Sequence, residues 1–452
     1  MQYFKPNGDF FVGDCMPFFH DRVFHLYYLL DENHHQGKNG LGGHQWAHAS
    51  STDLRQWLHH PLAIGIDAAW ECSICTGSVF FHAGAYYAYY ATRKSDRSEH
   101  LSLATSTDGI HFEKTAPNPF AAPPAGYKSD YRDPFVFQEN QSGLFHMLVT
   151  AAREDQSLPQ TSGCLAHLTS PDLETWISTE PLLTPGYAGA PECPDYFHWR
   201  GWYYLIFSNG GVARYRLSRD PLGPWLRPSV DTFDSDISRV LKSAAFVGER
   251  RLGVAFLPTR RDGKNDGELL YAGNAIFREI IQHDDGSLGT KFPPEMVPAH
   301  GQPVHLAFNA ITSSATVKEG RLRIDAGAGF GAANLRQVPR NFRMTVDIAP
   351  ETPTSAFGLL LRGSERYEKG CELRFSPDQQ RVELGDQSIA CVEGLAQPFK
   401  LEIVVVDDIV DVCIGERRCL IQRCPESNGD TLFFFCHHGD VTFSAIEVSA
   451  LL

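Results

Sequence analysis

PECPDYFHWRGWYYLIFS, residues 191–208, places a carboxylate and two prolines directly before a run dense in aromatic residues. A strand this apolar is built for an interior, yet Glu192 stands at its mouth. One such acid reads equally well as an edge charge. Recurrence decides the matter, because four other segments share the pattern of a short head, an apolar strand, a turn and a strongly aromatic or aliphatic strand. They are GDCMPFFHDRVFHLYYLL from Gly13, TGSVFFHAGAYYAYYA from Thr76, RDPFVFQENQSGLFHMLVTA from Arg132 and KSAAFVGERRLGVAFLP from Lys242. The five units follow one another at steps of roughly 60 residues, shorter for the last, and a fixed period of that size marks a repeat architecture.

A second signature closes four of the units. HASSTDLRQW ends at Trp57, LATSTDGIHF at Phe112, HLTSPDLETW at Trp176 and YRLSRDPLGPW at Trp225, each a Ser-x-Asp corner followed by a large aromatic. Such a corner is a tight polar turn that returns apolar surface to the sheet. The fifth unit keeps only an echo, FREIIQHDDGSL. Short strands in five units with almost no helical periodicity predict a five-bladed β-propeller. The Pro-rich PPEMVPAHGQPV then leads into alternating strands at sandwich-like intervals. The fold is read as all-β, with a propeller over residues 1–296 and a β-sandwich over 297–452.

Bulk properties narrow the function. A net charge of -14 over 452 residues argues against nucleic acid, whose phosphates call for clustered Lys and Arg. No apolar run approaches the roughly 20 residues of a membrane span, and no secretory signal is visible at the N-terminus. Eleven scattered cysteines suit reduced, packed thiols, so a cytoplasmic location is expected. Cys72 and Cys75 form a lone C-x-x-C, read as two strand thiols in preference to zinc. His34 and His35 have no third ligand at suitable spacing in the sequence, and no metal or organic cofactor is expected.

In a propeller the innermost strand of each blade lines the central channel, so the heads of the repeats should converge. Those heads carry Asp14, Asp133 and Glu192, accompanied by Arg132, Ser78 and Lys242. Three carboxylates in a partly desolvated pocket repel one another, which makes the group a functional candidate. Glycoside hydrolysis uses such a set, with one carboxylate as nucleophile or base and one carboxyl as general acid. Each acid alone has an ordinary reading as a turn, cap or solvated charge.

The chain resembles glycoside hydrolase family 32, the invertase, levanase and inulinase group, whose fold is a five-bladed propeller followed by a β-sandwich. Asp14 matches the family's first-blade Asp; Arg132, Asp133 and Pro134 match its Arg-Asp-Pro block; Glu192 and Cys193 match its Glu-Cys block. QWAHASSTDLRQW resembles the Trp-Gly-His segment through Trp46 and His48, and CTGSVF the Ser-Gly-Ser segment through Gly77 and Ser78. The resemblance implies a retaining β-fructofuranosidase with Asp14 as nucleophile, Glu192 as acid then base, and Asp133 as transition-state stabiliser oriented by Arg132. Its two working carboxyls would stand about 5 to 5.5 Å apart. Trp46, Ser78, Arg132, Cys193 and Lys242 are expected around a small carbohydrate. Trp46 and Trp70 have packing as an alternative, and Lys242 a plain salt bridge.

Two departures bear on the substrate. Gly13 replaces the family's sugar-binding Asn, and Leu29 falls near the position of its Gln, so two amides are lost. Another furanoside or a fructose disaccharide stays open, as do an arabinanase-type furanosidase and a catalytically inert carbohydrate-binding propeller. Oligomeric state is not fixed by the sequence.

Overall fold

In the computed structural model, all residues are described except 140, 141, 155–157, 188, 352, 365 and 452. The chain divides into two compact units. One comprises Met1–Thr232, Ser238–Pro258 and Leu270–Leu288; the other comprises Phe233–Ile237, Thr259–Leu269 and Gly289–Leu452.

The first unit is the five-bladed propeller. Blade one is the antiparallel meander Phe10–His20, Val23–Glu32, Gln45–Ser51 and Leu58–His59, and blade two runs Ser73–His82, Ala85–Arg93, Glu99–Ser106 and Glu113–Lys114. Blade three is Arg132–Gln138, Phe145–Ala152, Gly163–Ser170 and Ile177–Leu183. Blade four has Glu192–Trp199, Trp202–Asn209 and Val212–Ser218, and blade five Arg239–Phe246, Arg250–Arg260 and Leu269–Gln282. The ring closes where Val12 of blade one pairs with Gly273 of blade five. Near the N-terminus, Tyr3 N–H donates to Ala275 O and Ala275 N–H donates to Phe4 O, each at 2.9 Å. The start of the chain thus takes an outer place on blade five, which explains why the fifth repeat keeps only an echo of the closing signature.

Apolar surface is buried between successive blades. Tyr27 and Trp46 pack with Ala88 and Tyr90; Tyr89 and Leu101 pack with Met147 and Ala166; Leu148 and Leu165 pack with Leu205. Buried tyrosines add directional contacts. Tyr27 donates to Gly109 O at 2.6 Å, Tyr89 to Leu173 O at 3.2 Å and Tyr204 to Gly286 O at 2.7 Å, each reaching the corner of the following blade. The Ser-x-Asp corners hold themselves. Asp53 Oδ1 accepts from the amides of Arg55 and Gln56, and Asp172 Oδ1 from those of Glu174 and Thr175.

The second unit is a β-sandwich organised on one long strand, Thr431–Leu451. Its first half pairs with Ala356–Gly363 and its second half with Phe342–Pro350, while Arg321–Leu335 runs beside both. Gly439 at the change-over has φ 147°, and a Cβ there would meet Thr354 Oγ1 at 2.4 Å. Here one sequence expectation is corrected: Cys371 and Cys424 are joined as a disulfide, so not every cysteine is a free thiol. A separation of 53 residues gave no sign that the fold brings their Cα atoms within 6.2 Å.

Candidate active site

Each inner strand of the propeller begins with a slip in register. The irregularity falls between Val12 and Cys15, between Ile74 and Gly77, opposite Leu148/Thr150, between Glu192 and Asp195, and between Arg239 and Lys242. A bulge of this kind re-aims side chains that a regular pleat would alternate between faces. Asp133 and Cys193 lie in the left-handed backbone region, with φ of 54° and 53°, a cost of about 1 kcal/mol or more that is characteristic of functional sites. The bulge, more than the strand itself, places the acids.

Asp14, Asp133 and Glu192 line one cavity of about 420 Å³ together with Arg132, Arg93, Glu99, His35, His44, Thr76 and Tyr271. Asp14 is held at both oxygens: Thr76 Oγ1 donates to Oδ2 at 2.5 Å and Tyr271 Oη to Oδ1 at 3.1 Å. The Cys193 thiol lies 3.5 Å from Oδ2. Asp133 accepts from Thr150 Oγ1 at 3.0 Å and from the Cys193 amide at 3.1 Å. Glu192 is 31% exposed, against 3% for Asp133, and takes a 2.8 Å bond from Arg132 Nη2. Arg132 also reaches Asp133 at 3.5 Å and Glu99 at 3.5 Å, and pairs with Asp130, so one guanidinium ties four acids.

Burial dominates the protonation of Asp133. It pushes the Asp133 carboxyl up to about 6, against the opposing pull of Arg132 and with help from Asp14, Glu99 and Glu192. Burial, then Asp133 and Asp14, holds the Cys193 thiol well above its ordinary value, so it stays an S–H donor. The Tyr271 phenol is likewise raised by burial and then by Asp14.

Residues 4–221 match the family model for the glycosyl hydrolases family 32 N-terminal domain. Residues 4–221 are thus a glycosyl hydrolases family 32 N-terminal domain. Among curated relatives, the chain is 30% identical over 219 residues to sucrose-6-phosphate hydrolase of Escherichia coli, covering 46% of this chain and 41% of that protein. It is 30% identical over 191 residues to raffinose invertase of Escherichia coli, covering 40% and 38% respectively. The matches therefore span about two fifths of those relatives' lengths. The fold is that of fructan 1-exohydrolase IIa from Cichorium intybus, with a TM-score of 0.76 at 18% identity, covering 99% of this chain and 96% of that one. Exo-inulinase from Aspergillus awamori gives 0.73 at 16% identity, covering 100% and 98%.

Of the other residues singled out in the sequence, Leu29 and His35 line this cavity, while Trp46, Ser78 and Lys242 lie apart from it. Trp46 is fully buried, with its indole N–H donating to Cys75 O at 2.9 Å. Ser78 and Lys242 line a second cavity of about 370 Å³, with Phe81, Phe135 and Tyr196. They stand beyond the bulge, further along their strands than the acids. Ser78 donates to Pro134 O at 3.0 Å, and the Lys242 ammonium to Gly77 O at 2.9 Å. Cys193 is buried beneath Asp14 and Asp133.

The fold gathers residues that the family 32 sequence motifs did not mark. Thr76 was legible as a repeat head but carries no charge; Tyr271 and Glu99 sit outside the inner strands. His35, which lacked a third ligand in the sequence, meets Asp31 and His44, with donor atoms within 4.8 Å of one another. Part of that group is already paired, although Asp31 Oδ2 and His44 Nδ1 are buried without a hydrogen-bond partner among the described residues. Asp31 Oδ1 bonds His44 Nε2 at 2.9 Å, and Arg93 places a guanidinium 2.8 Å from His35 Nε2, where a bound cation would be repelled. It serves as a hydrogen-bonded wall.

Proposed function

We propose that this chain hydrolyses β-fructofuranosides by a retaining double displacement in the Asp14–Asp133–Glu192 cavity. The observation that carries the reading is the meeting of three carboxylates, from three blades, around Arg132 in one pocket. Asp14 attacks the anomeric carbon while the bond to the leaving oxygen breaks and Glu192 delivers a proton to that oxygen. A glycosyl ester on Asp14 results. Water then attacks the anomeric carbon, Glu192 takes its proton, and the bond to Asp14 breaks so that Asp14 leaves as carboxylate. Asp133 accepts sugar hydroxyls and stabilises the positive charge that develops in each transition state. Arg132 is a positioning residue, since it touches both Asp133 and Glu192.

Relatives named for sucrose-6-phosphate and raffinose support a small fructoside as substrate. We assign the catalytic role to residues 1–296 and a supporting one to the sandwich, 297–452. A second reading, another furanoside, is favoured by Gly13 and Leu29, which offer the sugar no amide. A panel of sucrose, sucrose 6-phosphate, inulin and levan oligomers, a fructose disaccharide and an arabinofuranoside tests both, using wild type and Glu192→Gln. Fructose release that disappears in the variant supports the first reading. Cleavage of the arabinofuranoside alone supports the second.

A further inference from the structure

Tyr271 stands on the third strand of blade five, Leu269–Gln282, yet its phenol crosses to Asp14 in blade one. The hydroxyl donates to Asp14 Oδ1 at 3.1 Å and lies 3.4 Å from the Asp14 amide, which donates to it. The ring is wedged against Phe256, His35 and His44, with centroids 5.2, 5.3 and 5.4 Å away. The backbone of blade one accommodates this. A Cβ built on Gly13 would lie 2.7 Å from the Tyr271 hydroxyl, closer than such atoms approach, and 3.2 Å from both Tyr271 Cε1 and Leu29 Cβ, which are tight contacts. Gly13 is therefore coupled to the phenol, and a side chain at position 13 and the Tyr271–Asp14 bond exclude each other.

We propose that Tyr271 is the positioning residue of the nucleophile, fixing the Asp14 carboxylate through Oδ1 while Thr76 fixes Oδ2, and that Gly13 exists to admit it. The role rests on the hydrolytic reading above. Two donors on different oxygens set the rotation of the carboxylate before substrate arrives, which keeps the attack aligned. Burial keeps the phenol protonated, so it remains a donor throughout turnover. One hydroxyl from blade five thus occupies space beside Asp14 that a longer residue at position 13 would otherwise claim.

The test is a double-mutant cycle of Tyr271→Phe, Gly13→Ala and the pair, read as kcat and KM on the best fructoside, with thermal melts to confirm folding. Tyr271→Phe keeps the ring and should lower kcat about tenfold, the equivalent of one hydrogen bond, with KM changed less than about twofold. Gly13→Ala should lower kcat at least as much, by forcing the hydroxyl aside. The pair should be no worse than Tyr271→Phe alone, because the clashing oxygen is gone. Independent effects that multiply would overturn the proposal, as would a Tyr271→Phe enzyme with wild-type kcat. If Gly13→Ala fails to fold, Tyr271→Phe alone decides through its kcat against KM. A wild type inert toward every fructoside would overturn the hydrolytic reading itself, and the Tyr271 role with it.

Discussion

Asp133 and Cys193, neighbours across blades three and four, are joined by a 3.1 Å bond from the Cys193 amide to Asp133 Oδ2, and both hold left-handed backbone conformations. Two bulged strand heads thus lock together directly beneath the proposed reaction centre. The cost of each strained conformation is met by a bond the other makes possible, and the Asp133 carboxylate is fixed where solvent barely reaches it.

That burial has a measurable consequence for stability against pH. The folded-state value of Asp133, about 6, lies above its ordinary 3.8. A raised acid binds more protons folded than unfolded, so its ionisation costs stability as pH rises from about 4 through 6. Asp133→Asn should melt higher than wild type at pH 7, by an amount on the order of 2 kcal/mol, and the advantage should vanish below about pH 4. The same variant should lose about 10²-fold or more in kcat.

Glu192→Gln should cost about 10²- to 10⁴-fold in kcat on sucrose, since the leaving oxygen then receives no proton. An aryl fructoside, whose leaving group needs less protonation, should recover much of that loss. Equal losses on both substrates would remove Glu192 from the acid role.

Arg132→Lys should behave much like Arg132→Gln. A single ammonium cannot reproduce a planar fork that meets Asp133, Glu99 and Glu192 together. Both variants should fall about 10²-fold in kcat/KM on the fructoside panel.

Trp46→Ala should destabilise the protein by about 3–5 kcal/mol in urea unfolding, because the indole is fully enclosed between blades one and two. Trp46→Phe should keep KM within about twofold, the result expected of a packing residue. A large rise in KM in a well-folded Trp46→Phe would instead make the ring part of the sugar site.

Tyr27→Phe and Tyr89→Phe should each cost about 1 kcal/mol of stability, and their effects should add, since the two hydroxyls serve different blade junctions. Chemical denaturation of the single and double variants checks this.

The propeller was legible because its period is long, repeated and marked by aromatic strands and Ser-x-Asp corners. The carboxylates were legible because a charge at the mouth of an apolar strand is conspicuous. What escaped has physical reasons. Whether a head residue faces the Asp14 cavity or the second one depends on its position relative to a bulge. Ser78 and Lys242 stand past that bulge, two or so residues deeper, which is roughly 7 Å along a strand. Tyr271 has no counterpart in the repeat, and only the space left by Gly13 shows why it belongs beside Asp14. The Cys371–Cys424 pair depends on strand order in the sandwich, which spacing does not encode.

The most direct test of the central claim is the anomer formed when wild type cleaves sucrose in aqueous methanol, followed by NMR at early times. Double displacement through Asp14 predicts methyl β-fructofuranoside, with retained configuration. The α-anomer would require single displacement by water or methanol and would contradict a covalent role for Asp14.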